Sequence, residues 1–224
     1  MDLRARVDMF SYMLSNDIVE LLLRLAGRDV RSEIAGSASG SPAVIIDELT
    51  GIGAMLPRYA KRFPEARIIA IDLDAGMLEC LQKHTERAGP EGVEFLLADA
   101  RELPLAAGSA DLVNISYGLH ELNWLDRELV LGEACRILKP GGELVVADYR
   151  AGRGLVRRSL TSIYFRLAEP RWIREIFDGG LQRQVEDAGF EIRRVTADLP
   201  VTQLVVARKA GNAPCARGHM RLVT

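Results

Sequence analysis

Cysteine is scarce in this chain. There are three, Cys80, Cys135 and Cys215, far apart and without a Cys-x-x-Cys pair. That spacing argues against a disulfide framework and against a zinc site, and it suits a reducing compartment. Long apolar runs are missing as well: no stretch approaches the roughly 18 residues of a membrane-spanning helix. The first residues, MDLRARVDMF, are charged throughout and hold no apolar stretch of signal-peptide length. These absences predict a cytoplasmic protein. Neither sign of charge dominates. The formal net charge is -2 and the pI about 6.0, which gives no global pull toward nucleic acid or acidic membranes. No internal repeat is visible.

What is present is an ordinary globular balance. Hydrophobic residues make up 48% and charged residues 27% of 224 residues, enough for one α/β domain with a full core and too little for two comfortable ones. SNDIVELLLRLAG, with apolar positions at Ile18, Val19, Leu21, Leu22, Leu23 and Leu25, predicts a helix that starts at Ser15 or Asn16 and stops at Gly27. GSASGSPA, from Gly36 to Ala43, reads as a connector.

Strands and helices then alternate. AVIID, ARIIAIDLD, VEFLLADA, ADLVNISYG and GELVVADY are short apolar runs. Helical stretches lie between them, among them AMLPRYAKRF, AGMLECLQKHTERAG and ELVLGEACRILKPGG. Runs this apolar are expected of strands covered on both faces, hence of a parallel sheet with helices on either side. FEIRRVTAD and TQLVVARK, joined by LPV, are close enough to form an antiparallel pair. The tail AGNAPCARGHMRLVT lacks periodicity and is expected to be loose. The chain thus divides into an N-terminal helical segment (1–42), a main domain (43–209) with a cap-like insertion (150–180), and a tail (210–224).

In an open parallel sheet, ligands bind at the carboxyl ends of the strands. The first three strands end in acids, Asp47, Asp72 and Asp99, and the fourth ends near Ser116, Tyr117 and His120. A row of carboxylates is costly to bury unless donors meet it. A ligand with an amine, a ribose and an exocyclic amino group would supply them. Gly51 and Gly53 let the backbone come close to such a ligand. Asp72 stands about 20 residues beyond them, the place from which an acid accepts ribose hydroxyls. A nicotinamide-type fingerprint fails, because its last glycine would fall at Leu56.

Several residues have two readings. His120 and Glu121 lie at the mouth of the site. His120 serves as a general base or caps the helix that follows; Glu121 pairs with a surface arginine in the second reading. Tyr117 and Tyr149 line an acceptor pocket or shield the core. Tyr12 folds over the ligand or packs its helix on the sheet. Arg153, Arg157 and Arg158 greet an anionic acceptor or lipid headgroup, or form a solvated helix face.

The order of these pieces resembles the class I S-adenosylmethionine-dependent methyltransferases, and most nearly the small enzymes related to the ubiquinone and menaquinone C-methyltransferases. VIIDELTGIGAML resembles their first motif and ARIIAIDLDAGML the second. VEFLLADARELPLAAGSADLV resembles the adenine-binding stretch, ISYGLHEL the segment after strand four, and ACRILKPGGELVVADY and VEDAGFEIRRV the later phrases. The resemblance covers roughly Ala43 to Lys209. It implies a Rossmann-like methyltransferase fold: seven strands, mostly parallel, one antiparallel, with helices on both faces. It implies S-adenosylmethionine as cofactor, held by Asp47, Leu49, Gly51, Gly53, Asp72, Leu73, Asp99, Ala100 and Ser116, with no metal. It also implies His120 and Tyr117 as catalytic candidates and a small-molecule acceptor, slightly favouring an aromatic or quinone-like one. An alternative is a catalytically altered member that senses the cofactor or binds a partner. The departure from the pattern is Leu49, where the family usually has glycine and the quinone methyltransferases often have alanine. A leucine fits that turn only at negative φ, and it adds four carbons beside the site.

Overall fold

The computed structural model describes residues 29–150, 180–196, 199, 202–211 and 215. The expected helix around residues 15–27, Tyr12, Arg153, Arg157 and Arg158, and nearly all of the 150–180 segment and the tail lie outside the described residues.

Seven strands form one sheet: β1 (Val44–Glu48), β2 (Arg67–Asp72), β3 (Val93–Leu97), β4 (Ala110–Ser116), β5 (Leu138–Tyr149), β6 (Phe190–Thr196) and β7 (Thr202–Lys209). Their order is β3-β2-β1-β4-β5-β7-β6. β1 to β5 are parallel, and β7 runs antiparallel to both β5 and β6. From β1 the chain crosses to β2 and β3 on one side, then returns to place β4 on the other. The order therefore reverses between β1 and β4, where an open sheet leaves a crevice at its carboxyl edge. Register puts Ile46 beside Ile69 on one flank and Val113 on the other.

Helices cover both faces. α1 (Val30–Ser37), α2 (Leu56–Arg62) and α3 (Ala75–Ala88) are followed by α4 (Trp124–Ile137) and α5 (Leu181–Asp187). Polar caps fix where several begin. Asp29 accepts from the Ser32 N–H, Asp74 from those of Gly76 and Met77, and Asn123 from that of Asp126. Pro57 sits in the first turn of α2, where its missing N–H costs nothing. One core layer packs Val30, Ile34, Leu56 and Tyr59 of α1 and α2 on Ile45, Ala70 and Leu112. The other packs Val130, Leu131, Ala134, Leu181 and Val185 of α4 and α5 on Ile46, Val113 and Val146. Strand residues alternate between the layers, as a two-sided sheet requires. The Lys-Pro-Gly-Gly run does not separate helix from strand: α4 ends at Ile137 and β5 begins at Leu138.

The cysteine expectation is corrected. Cys135, fully buried on α4, is disulfide-bonded to Cys215, with Cα atoms 5.7 Å apart across 80 residues of sequence. The geometry of the sheet edge explains the pairing. The end of β7 lies at the start of β5, where Lys209 Nζ donates to the Leu138 carbonyl at 2.7 Å. Leu138 directly follows α4, so a few residues of tail carry Cys215 back to Cys135.

Candidate functional site

The carboxyl ends of β1, β2 and β4 converge on one loop. Asp47 is 2% exposed and accepts from Thr50 Oγ1 and Asn114 Nδ2, each at 2.6 Å. Asn114 Oδ1 in turn accepts from Tyr59 Oη at 2.9 Å and Ser116 Oγ at 3.0 Å. Burial pushes the Asp47 carboxyl up to about 6, against the lowering effect of Thr50 and Asn114. Asp47 thus anchors the loop from below while forming part of the recess above it. Its neighbour Glu48 points to the other core layer. It is fully buried, and among the described residues neither carboxyl oxygen has a hydrogen-bond partner. Burial, and then the charges of Glu133 and Asp47, hold its pKa well above the ordinary carboxylate range.

Leu49 does not keep a negative φ. It takes φ +54, the left-handed region. For a leucine this costs roughly 1–2 kcal/mol. The side chain is placed over Gly118, at the far end of β4. Gly118 itself has an ordinary φ of -124, so its want of a side chain serves Leu49 and not the backbone.

From there the loop is held by the chain's own N–H groups. Thr50 N–H donates to the Ile71 carbonyl at 2.9 Å, and Gly51 N–H to Asp72 Oδ2 at 2.8 Å. The other Asp72 oxygen accepts from the Asp74 N–H at 3.0 Å. Gly51 and Gly53 both have positive φ, and a Cβ at Gly53 would collide with Leu56 and Leu81. Gly53 is thus fixed by packing against α3 as well as by its backbone. Leu73 and Leu97 are exposed, at 60% and 56%. Leu97 pairs in register with Asp72, so both apolar side chains stand at the same edge as that carboxylate.

Asp99 lies two residues beyond β3, next to the buried Ala100. Its carboxylate is engaged by Arg101, through Nη2 at 2.6 Å, Nε at 3.0 Å and the backbone N–H at 2.9 Å. The Arg101 guanidinium lowers its pKa. Arg101 also reaches Asp126 at 3.0 Å. A ligand amine that meets Asp99 must share it with this arginine.

On the β4 side, Ser116 and Tyr117 complete a narrow recess of about 20 Å³ with Arg31, Asp47, Leu49 and Thr50. Tyr117 also has positive φ, +56, and among the described residues Leu49 and Tyr117 are the two non-glycines that do. Both line the recess. Backbone strain of this kind concentrates at functional sites. Tyr117 Oη bonds Thr202 Oγ1 at 2.9 Å, and burial pushes the phenol up to about 12. Its ring meets that of Tyr149 at 5.2 Å, and Tyr149 meets the His120 ring edge-on at 4.7 Å.

His120 sits in a short 3-10 turn (Leu119–Glu121). Its Nδ1 lies 2.9 Å from Asp148 Oδ1, and its backbone N–H donates to Asp148 Oδ2 at 3.1 Å. Glu121 is exposed beside it. The sequence reading passed over Asp148, Arg31, Thr50, Asn114 and Arg101. For Asp148 a signal existed: the β5 run also ends in an acid, as do the runs of β1 to β3.

This is the architecture of the Rossmann-like methyltransferase fold. A SAM-dependent methyltransferase from Aquifex aeolicus superposes with a TM-score of 0.59 at 22% identity, covering 75% of this chain and 82% of that one. The [4+2]-cyclase SpnF superposes at 0.65 with 17% identity, covering 81% of each chain. At these identities the likeness establishes fold alone. In sequence, residues 45–142 match a family model described as a methyltransferase domain. A demethylmenaquinone methyltransferase of Thermus thermophilus is 37% identical over 145 residues, 63% of this chain and 60% of that protein. A ubiquinone/menaquinone biosynthesis C-methyltransferase of Syntrophotalea carbinolica is 33% identical over 145 residues, 64% of this chain and 60% of that protein. The chain spans about three fifths of the length of these curated relatives. Among the described residues, no helix is long and apolar enough to cross a membrane.

Proposed function

We propose that the protein transfers a methyl group from S-adenosylmethionine to a small aromatic or quinone-like acceptor. The observation that carries the reading is the pair of strained residues, Leu49 and Tyr117, facing one recess at the switch point of a methyltransferase-type sheet.

The residues fit the cofactor. Asp72 presents a carboxylate at the strand end, with Gly51 N–H already bound to one oxygen. It is the group to hold ribose hydroxyls. Leu73 and Leu97 give the apolar surfaces an adenine ring needs, with Asp99 and Ala100 for its polar edge. Asp47, Gly51, Gly53 and Ser116, with Leu49 and Arg31, bound the place of the amino-acid end. When bound, S-adenosylmethionine supplies a methyl carbon activated by the adjacent sulfonium. The chain then needs mainly to align the acceptor and exclude water. His120 and Tyr117 are the candidates for handling the acceptor's proton. The acceptor class is supported by the demethylmenaquinone and quinone enzymes among the relatives.

The test is transfer of label from methyl-labelled S-adenosylmethionine to 1,4-dihydroxynaphthalene, a reduced naphthoquinone nucleus. Labelled product from wild type, and its loss in Asp72→Ala, are expected. Protein that binds the cofactor yet methylates no aromatic hydroxyl compound would overturn the acceptor class.

A further inference from the structure

We infer that the groove between the C-terminal end of α1 and the β6–β7 side of the sheet is a binding site for a phosphate-bearing ligand, separate from the cofactor recess.

The groove holds about 320 Å³ and is lined by Arg193 and Arg194 of β6, Arg208 of β7, Glu143 of β5 and Ser37 at the end of α1. Three guanidinium groups thus face one carboxylate. Sheet geometry explains how they meet. In a regular strand neighbouring side chains point to opposite faces, which would part Arg193 from Arg194. β6 breaks that pattern. Its register on β7 shifts between Ile192, opposite Ala207, and Arg194, opposite Val206. The extra residue is a β-bulge, a device that re-aims side chains, and both arginines line the groove. Arg208 joins them from β7, where it stands opposite both Glu143 and Glu191 and shares a face with Val206.

The arginines are only partly engaged within the protein. The buried Glu143 carboxylate is taken by Ser39, whose N–H donates to Oε1 at 2.8 Å and whose hydroxyl donates to Oε2 at 2.6 Å. Arg193 Nη2 lies 2.9 Å from Glu191 Oε2. Arg194 Nη2 donates to the Ser37 carbonyl over a long 3.3 Å. Among the described residues, Arg194 has no carboxylate partner, and Arg208 has neither a hydrogen bond nor an ion pair. Charge on an edge strand also discourages pairing with another chain. That duty falls to β6, the outermost strand, and calls for no third arginine from β7 and no bulge that turns two neighbours into one groove.

A phosphate group matches this set. Its oxygens accept paired N–H bonds from a guanidinium fork, and its double charge offsets the two arginines that lack a carboxylate. The volume is at the lower end of small-molecule sites, and Val206 adds an apolar wall for the rest of a ligand. The groove shares no lining residue with the recess. Glu143 precedes Tyr149 by six residues on β5, roughly 20 Å along an extended strand.

Calorimetric titration of the full-length protein with pyrophosphate tests the site. Wild type is expected to bind with a sub-millimolar Kd at low salt, and more weakly as salt screens the arginines. Arg194→Gln combined with Arg208→Gln should raise Kd about tenfold or more, as expected when charge-assisted hydrogen bonds are lost. Arg183→Gln removes an exposed arginine of α5 outside the groove and should leave Kd within about twofold. Arg208→Gln alone breaks no bond among the described residues and should weaken binding by itself, so the test survives if the double variant fails to fold. Phosphatidylcholine vesicles with and without phosphatidic acid separate the two sources of a phosphate group. Heat with pyrophosphate and no preference among vesicles identifies a soluble ligand. Arginine-dependent binding to the phosphatidic acid vesicles alone supports the site and identifies a lipid headgroup. Wild type that binds neither would overturn the proposal, as would an equal loss in Arg183→Gln. Displacement of pyrophosphate by S-adenosylmethionine would also overturn it, by placing the anion in the cofactor recess.

Discussion

Leu49 and Gly118 are packed as a matched pair: a Cβ at position 118 would sit 2.7 Å from the Leu49 Cβ and 2.8 Å from its Cδ1. Those distances are too short for real carbon contacts, so the leucine occupies the space the glycine leaves. Gly118→Ala should therefore destabilise the protein by about 1–3 kcal/mol, the cost of overpacking. In the Leu49→Gly background the same change should cost far less. A double-mutant cycle by chemical denaturation reads the coupling. Additive effects would mean that the two residues do not share the space.

Glu48 is a liability that the fold tolerates. Its carboxyl is fully buried and, among the described residues, has no hydrogen-bond partner on either oxygen. Replacing it by leucine removes a desolvated polar group and should stabilise the protein by about 1–3 kcal/mol at neutral pH. The sign with pH is fixed by the direction of the shift. A raised carboxyl stays protonated in the folded state while the unfolded chain ionises. Stability from such a group is intact below the unfolded pKa and declines as pH rises toward the folded one. For Asp47 the window runs from 3.8 to about 6, and for Glu48 it starts at 4.5 and extends well above. The advantage of Glu48→Leu over wild type should accordingly grow between pH 5 and 8 in urea titrations. A constant difference across that range would show that Glu48 ionises normally.

The Cys135–Cys215 bond ties the tail to the core side of α4. A native disulfide is typically worth about 2–4 kcal/mol, largely through its constraint on the unfolded chain. Reductant, or Cys215→Ser, should lower the melting temperature by roughly 5–15 °C for a chain of this size. Non-reducing peptide mapping should recover the two cysteines in one peptide. An unchanged melting temperature under reductant would contradict the bond's contribution.

Much of this fold is legible in the sequence because it is local. Apolar runs ending in acids mark the parallel strands, and Gly51, Gly53 and Asp72 stand at spacings that need only β1, the loop and β2. What was not legible is set by distant contacts. The left-handed turn at Leu49 follows from a glycine that β4 delivers, 69 residues on. Sequence alone made negative φ the sensible expectation for a leucine. Asp148 was visible as one more acid at a strand end, but its hold on His120 depends on β4 and β5 lying side by side. The engagement of Asp99 by Arg101 looked like an ordinary pair of charges two residues apart. The cysteine pairing depends on where β7 ends, which no spacing reveals.

The central claim is that the strained Leu49 loop still holds S-adenosylmethionine. Calorimetric titration of wild type and Leu49→Gly with S-adenosylmethionine, its demethylated product and NAD tests it most directly. Wild type should bind the first two in the micromolar range and show no heat with NAD, and Leu49→Gly should bind at least as tightly. If neither protein binds S-adenosylmethionine or its product, the reading of Asp47, Asp72 and Asp99 as a cofactor site is wrong. If only Leu49→Gly binds, the leucine has closed the site and the chain is not a working methyltransferase.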